Sequence, residues 1–199
     1  MRIYSLLSIL ILFIAQPSMA LFEVRAGYGI LSSKPDFSGF YSGATPAATP
    51  NEGLTLDAIA TVPLVGIGGG LRMENMKISY DNSALGISNQ LSRTSLIVNY
   101  RIINTLIYLG PIFTYGLSHT NSVKLTSSDV ELSNISSNKV SSYSLGVEGG
   151  ASLLGFMVGA ELGKLAMSYK NATDSINPTH VHNLDMSGTY AKIFVGFGI

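Results

Sequence analysis

The feature that most constrains this chain is an alternation of apolar residues with small or polar ones, in period two, running from residue 22 to residue 199. Period two is the repeat of a strand with unlike faces. Phe22, Val24, Ala26, Tyr28 and Ile30 fall on one face, and Glu23, Arg25, Gly27 and Gly29 on the other. Seven further segments behave alike and predict strands near 53–62, 65–78, 90–102, 106–118, 140–152, 156–169 and 187–199. Each is long enough for a tilted membrane strand of about 9–11 residues. The segment 156–169 loses its phase near Lys164, which predicts a bulge there.

The connections alternate in length. Short turns are expected at Val62-Pro63-Leu64, Ile103-Asn104-Thr105 and Leu153-Leu154-Gly155; long loops are expected near 31–52, 79–89, 119–139 and 170–186. Short turns on one side and longer loops on the other are the habit of outer-membrane barrels. An even number of strands lets the sheet close and places both termini on the short-turn side, the periplasm. Closure matters because an open edge in lipid would leave backbone groups unsatisfied at several kcal/mol each. The expected fold is therefore all-β: an eight-stranded antiparallel up-and-down transmembrane β-barrel over 21–199.

A soluble barrel also alternates, with its apolar face inward. Four features decide against it. The polar faces are mostly Gly, Ser and Thr, too small and too weakly charged for a water-facing wall. Only 12% of the chain is charged while 46% is hydrophobic, against about 25% charged in soluble domains. Aromatics gather at the two ends of the apolar faces: Phe22, Tyr100, Phe156 and Phe197 at one, Tyr28, Tyr115 and Tyr143 at the other. Such girdles mark both membrane interfaces. The chain also ends on an apolar strand without a polar tail.

Export fits this reading. Arg2, the apolar run Leu6–Ala15 and Ser18-Met19-Ala20 read as a secretory signal over 1–20, cut between Ala20 and Leu21. The 12 basic residues balance the 12 acidic ones, so there is no footprint for nucleic acid. The absence of cysteine excludes disulfides and thiolate metal sites.

The pattern resembles the small outer-membrane barrel class that includes the OmpA barrel domain, OmpX and OmpW. The final strand, Thr189 to Ile199, looks like the assembly signal of such proteins, although it ends on Ile199 where an aromatic is usual. The resemblance implies a bacterial outer-membrane location. It also implies contact with outer-membrane lipid and lipopolysaccharide, and with the barrel assembly machinery during insertion.

Ten charges fall on the inferred lumen face: Glu23, Arg25, Asp57, Arg72, Glu74, Arg93, Arg101, Glu148, Glu161 and Lys192. Uncompensated charge in a narrow lumen is costly, so they are expected to pair. Expected neighbours are Arg25 with Asp57, Asp57 with Arg72, Glu74 with Arg93, and Glu161 with Lys192. Glu148 and Glu161 are expected at similar depth, as a titratable pair or, preferably, within an ion-pair cluster with Arg101 or Lys192. Tyr108, Ile112, Phe194 and Tyr190 are expected to point inward and fill the core.

No catalytic residue, metal site or cofactor is assigned. Gly66-Ile67-Gly68-Gly69-Gly70 lacks the helix and the Lys-Ser/Thr of a phosphate loop; Gly66, Gly68 and Gly70 instead share the inner face and make room there. His119, His180 and His182 lie in or beside the long loops, with no strand-fixed serine partner expected, and two histidines do not make a metal site. Asn134-Ile135-Ser136 and Asn171-Ala172-Thr173 match a glycosylation sequon by chance. Val123, Leu125, Val130 and Leu132 keep partial alternation, which predicts a hairpin standing above the membrane. The function expected is a non-enzymatic envelope protein with a packed lumen, presenting surface loops for adhesion or envelope integrity to an unknown surface ligand. The alternatives are a narrow channel for small solutes and, behind it, a lipid A-modifying enzyme.

Overall fold

A computed structural model describes residues 21–33, 49–62, 65–82, 85–127, 130–137, 139–176, 179 and 181–199. The expected signal at 1–20, most of the expected loop at 31–52, the turn residues Pro63 and Leu64, and His180 lie outside the described residues.

Eight long strands form the wall: β1 (Phe22–Ser33), β2 (Thr49–Val62), β3 (Ile67–Asn82), β4 (Leu85–Tyr100), β6 (Ile107–Ser127), β8 (Lys139–Leu153), β9 (Phe156–Asp174) and β11 (Gly188–Gly198). Three short ones accompany them: β5 (Ile103–Asn104), β7 (Val130–Ser136) and β10 (Val181–Asp185). Each long strand pairs antiparallel with the next in this series, and β11 pairs with β1 from Glu23↔Gly198 to Ser33↔Gly188, so the sheet closes. The seam is tied at its foot, where Phe22 and Ile199 exchange backbone hydrogen bonds of 3.0 Å. The fold is the expected eight-stranded antiparallel barrel.

The strands outrun their expected limits at one end only. Much of 79–89, 119–139 and 170–186, expected as loops, is strand: β3 and β4 pair as far as Asn82↔Leu85, β6 and β7 form a hairpin to Ser127↔Val130, and β10 pairs with β9. At the opposite end the turns are tight. Leu154 (φ 51°) and Gly155 (φ 85°) are both left-handed between Leu153 and Phe156, the conformation of a two-residue type I′ hairpin. Gly155 suits it without strain, whereas Leu154 takes the same conformation with its side chain in the open.

The outward face carries an apolar belt. Leu54, Phe156, Leu162 and Ile193 are each more than 60% exposed on the isolated chain. A contiguous apolar surface of this kind needs lipid rather than water around it. Phe22, Tyr100, Phe156 and Phe197 ring its foot, with Phe156 and Phe197 packed edge to face at 5.2 Å between centroids. Tyr28, Tyr115 and Tyr143 are exposed at its upper edge.

Above that edge the wall turns inside out. On β9 the outward residues become Lys164, Ser168 and Lys170, while Leu165, Met167 and Tyr169 point inward and are buried. Leu31, Leu91, Val123, Ile135, Leu184 and Met186 join them in one apolar core. The emergent barrel is built like a soluble one, apolar inside and polar outside. This corrects the expected bulge at Lys164. The β8–β9 register is unbroken from Lys139↔Lys170 to Leu153↔Phe156; what changes phase is the chemistry of each face as the strand leaves the lipid. Register shifts fall elsewhere. One is on β6, where Ser95 faces Gly116 but Thr94 faces Ser118. Others lie between β6 and β7 at Leu125/Thr126, and further along β9, where Lys170 and Asn171 stand against the single Asn183 of β10.

Candidate functional site: the lumen

Within the belt the inward positions hold the charges. All ten residues of the candidate set are buried, none more than 8% exposed. They sort into three layers, each neutral.

The lowest layer holds Glu23 and Arg25 of β1, Arg101 just beyond β4, and Glu148 of β8. Arg25 donates to Glu23 through Nη2 at 2.6 Å and to Glu148 through Nη1 at 2.6 Å. Arg101 Nη2 donates to Glu23 Oε2 at 2.7 Å, and its Nη1 lies 2.7 Å from Oε1 as an ion contact rather than an aligned hydrogen bond. Arg101 Nε stands 3.7 Å from Glu148. Aromatic faces complete the enclosure, with Arg101 4.5 Å over Tyr108 and Arg25 4.9 Å over Phe194.

The middle layer holds Asp57, Arg72, Glu161 and Lys192. Arg72 grips Asp57 on the neighbouring strand through Nε and Nη2, at 2.8 and 2.9 Å. Its Nη1 and Nη2 also reach Glu161 on the far wall, at 2.9 and 2.7 Å. Lys192 Nζ bridges the same two carboxylates, at 3.2 Å from Asp57 and 2.9 Å from Glu161. Tyr190 donates its hydroxyl to Glu161 at 2.6 Å. Bidentate geometry and multiple partners are what offset the desolvation of such charges.

The upper layer is Glu74 with Arg93, 2.5 Å apart. Arg93 also donates to Thr114 at 2.8 Å and to Ser142 at 3.2 Å.

Three of the four pairs expected across adjacent strands are in contact; the fourth is not. Arg25 and Asp57 are register partners on β1 and β2, yet Arg25 turns down to Glu23 and Glu148, and Asp57 turns to Arg72 and Lys192. Glu148 and Glu161 are also register partners. Their carboxylates part company, one into the lowest layer and one into the middle, each held by cations.

Apolar and aromatic side chains fill what the charges leave. Ile59, Ile97 and Ile112 pack together, and Tyr108 and Phe194 are 0% and 2% exposed. Gly159 on β9 makes room for both, since a Cβ there would collide with the Tyr108 hydroxyl and the Phe194 ring. Among the described residues, the recess bordered by Arg72, Glu74, Arg93, Ser144, Tyr190 and Lys192 encloses only about 20 Å³, the room of about one water molecule.

One functional-type contact was not expected. His119 of β6 turns inward, and its Nε2 hydrogen bonds to Ser142 Oγ of β8 at 2.7 Å. This corrects the expectation that no strand-fixed Ser/His pair exists. The β6 register shift produced it, since it brings His119 opposite Arg93, on the inner face. A nucleophilic serine needs an open approach and a hydroxyl free to lose its proton. Ser142 is 2% exposed and already takes a hydrogen bond from Arg93. That setting favours a packing role for the pair.

No family model matches the chain, and no curated protein matches it in sequence. Its fold does have solved counterparts. The outer membrane protein OprG from Pseudomonas aeruginosa aligns with a TM-score of 0.54 at 14% identity, over 89% of this chain and 95% of that one. A major outer membrane protein from Thermus thermophilus aligns with a TM-score of 0.54 at 16% identity, over 89% of this chain and 98% of that one. The chain has the fold of the small outer-membrane β-barrels.

Proposed function

We propose that this chain is a non-enzymatic outer-membrane barrel that seals its own lumen and works through its outer rim, in adhesion or in envelope integrity. Both termini then face the periplasm, and the β6–β7 hairpin stands outside the cell. The observation that carries this reading is the filled lumen: three neutral layers of paired charge, topped by an apolar core. Eight strands enclose just enough space for side chains, and here the side chains use it. A path for solutes would have to break buried ion pairs and then cross the apolar core around Leu91, Leu165 and Tyr169.

Planar-bilayer recording tests the sealed lumen. The expected result is little or no steady conductance; large stable openings would replace this reading with the narrow channel. The orientation is tested with an epitope tag inserted at 128–129. It should stain on unpermeabilised cells, and staining only after permeabilisation would invert the topology.

A further inference from the structure

We propose that the outer wall of β8 and β9 binds the phosphate groups of an outer-leaflet phosphorylated glycolipid, lipopolysaccharide, through Lys139, Lys164 and Lys170. This rests on the orientation given above, with the extended strand ends outside the cell.

The argument starts from where the cations go. The arginines of the described chain all face the lumen, whereas Lys77, Lys124, Lys139, Lys164 and Lys170 are exposed on the outer wall. Their surroundings differ around the barrel. On the β2–β3 side, Lys77 has Glu52 as its direct cross-strand partner, an arrangement of opposite charges that stabilises a sheet. On the β8–β9 side, Lys139 and Lys170 are direct cross-strand partners of each other. Like charges in that relation are destabilising. Among the described residues no acid offsets them from their own strands, since Glu148, Glu161 and Asp174 all point inward and are buried. On the next strand the exposed Asp185 pairs with Ser168 in the β10–β9 register, not with either lysine, and its carboxylate accepts the Ser187 N–H at 2.8 Å. An anion between the two lysines would turn a repulsive pair into a clamp.

Height selects the anion. Lys164 sits at the upper edge of the apolar belt, opposite Leu145, with the interfacial Tyr143 opposite its neighbour Ala166. A lysine there lays its stem on apolar surface and lifts its ammonium to the headgroup level. Lys170 is six residues further along the same strand, roughly 20 Å at the usual rise. A glycerophospholipid offers one phosphate, at the level of Lys164 only. Lipopolysaccharide carries phosphate on its membrane-seated base and further phosphate on its projecting sugar core, so it spans both levels.

The test uses the full chain refolded in nanodiscs, with a heat-shift gel confirming that each variant is folded. Binding of labelled lipopolysaccharide and of its dephosphorylated form is measured for wild type, Lys139→Gln/Lys170→Gln, Lys164→Gln and Lys77→Gln. The expected result is weaker binding by about fivefold for each β8–β9 lysine removed, the size of one lysine's attraction to an anionic surface. Lys77→Gln should bind like wild type, and the dephosphorylated lipid should show no dependence on the three lysines. Equal affinity for the two lipids, or a folded double variant that binds as wild type does, would overturn the proposal. So would full competition by millimolar inorganic phosphate, which would mark a site for free anions. None of these results resembles a failure of the sealed-barrel reading, which would show as stable conductance or as a hairpin tag hidden in intact cells.

Discussion

Arg72 and Glu161 stand on strands that do not touch, yet two guanidinium nitrogens meet both carboxylate oxygens across the barrel, at 2.9 and 2.7 Å. The contact staples opposite walls. Replacing Arg72 with alanine leaves Asp57, Glu161 and Lys192 buried with one cation between two anions. Removing one member of a buried pair costs about 3–5 kcal/mol. The heat-shift midpoint of Arg72→Ala should fall well below that of wild type, and a midpoint equal to wild type would mean that β3 does not face its charges inward.

Leu165 and Leu162 are three residues apart on β9 and face opposite ways, the first 3% exposed and the second 63%. Leu165→Ala should cost about 2–5 kcal/mol, as for other large-to-small changes in a packed core. Leu162→Ala, which only trims surface in contact with lipid or detergent, should cost much less. Thermal midpoints of the two variants in one detergent check the inversion of the wall above the belt; a reversed order would refute it.

His119 lies above the apolar belt, beside outward-facing Ser118 and Thr120. Burial holds its pKa below the ordinary histidine value, and the charge of Arg93 adds to the effect. The imidazole is therefore neutral in the folded barrel near pH 7. As pH falls through about 6.5, the unfolded chain takes up a proton first. Stability contributed above that pH is then lost until the folded-state value is passed. Unfolding midpoints measured between pH 8 and 5 should decline for wild type, and His119→Asn should show a shallower decline. Parallel curves would place His119 in solvent.

Gly159 has no room for a side chain beside Tyr108 and Phe194. Gly159→Val should force one of those rings out of its place, and overpacking of this kind costs typically about 1–3 kcal/mol. The expected result is a lower yield of the heat-shifted folded form, with partial recovery when Phe194→Leu is added. A full yield from Gly159→Val alone would show that the lumen has space to spare.

The legible part of the candidate site was its membership. Each of the ten candidate charges falls on the face opposite its apolar neighbours, so parity alone marks Arg72 or Glu161 as inward. Pairings between adjacent strands followed where register fixes them, as for Glu74 and Arg93. Arg25 with Glu148, and Arg72 with Glu161, were not legible. They join strands far apart in the wall, and only closure sets the distance across the lumen. The His119–Ser142 contact was hidden for a different reason: a one-residue register shift in β6 reverses the face of every residue after it.

By itself, then, the sequence determined the period, and with it the strands, the lipid-facing residues and the need for a closed sheet, because these follow from local alternation and from the cost of unpaired backbone in lipid. Only the tertiary structure decided which charges meet and where the wall inverts. An arginine's reach depends on the curvature of the whole barrel. The inward turn of Leu165 and Leu31, each close in sequence to the last belt position of its strand, becomes visible as a core only when eight strand ends are brought together above the membrane.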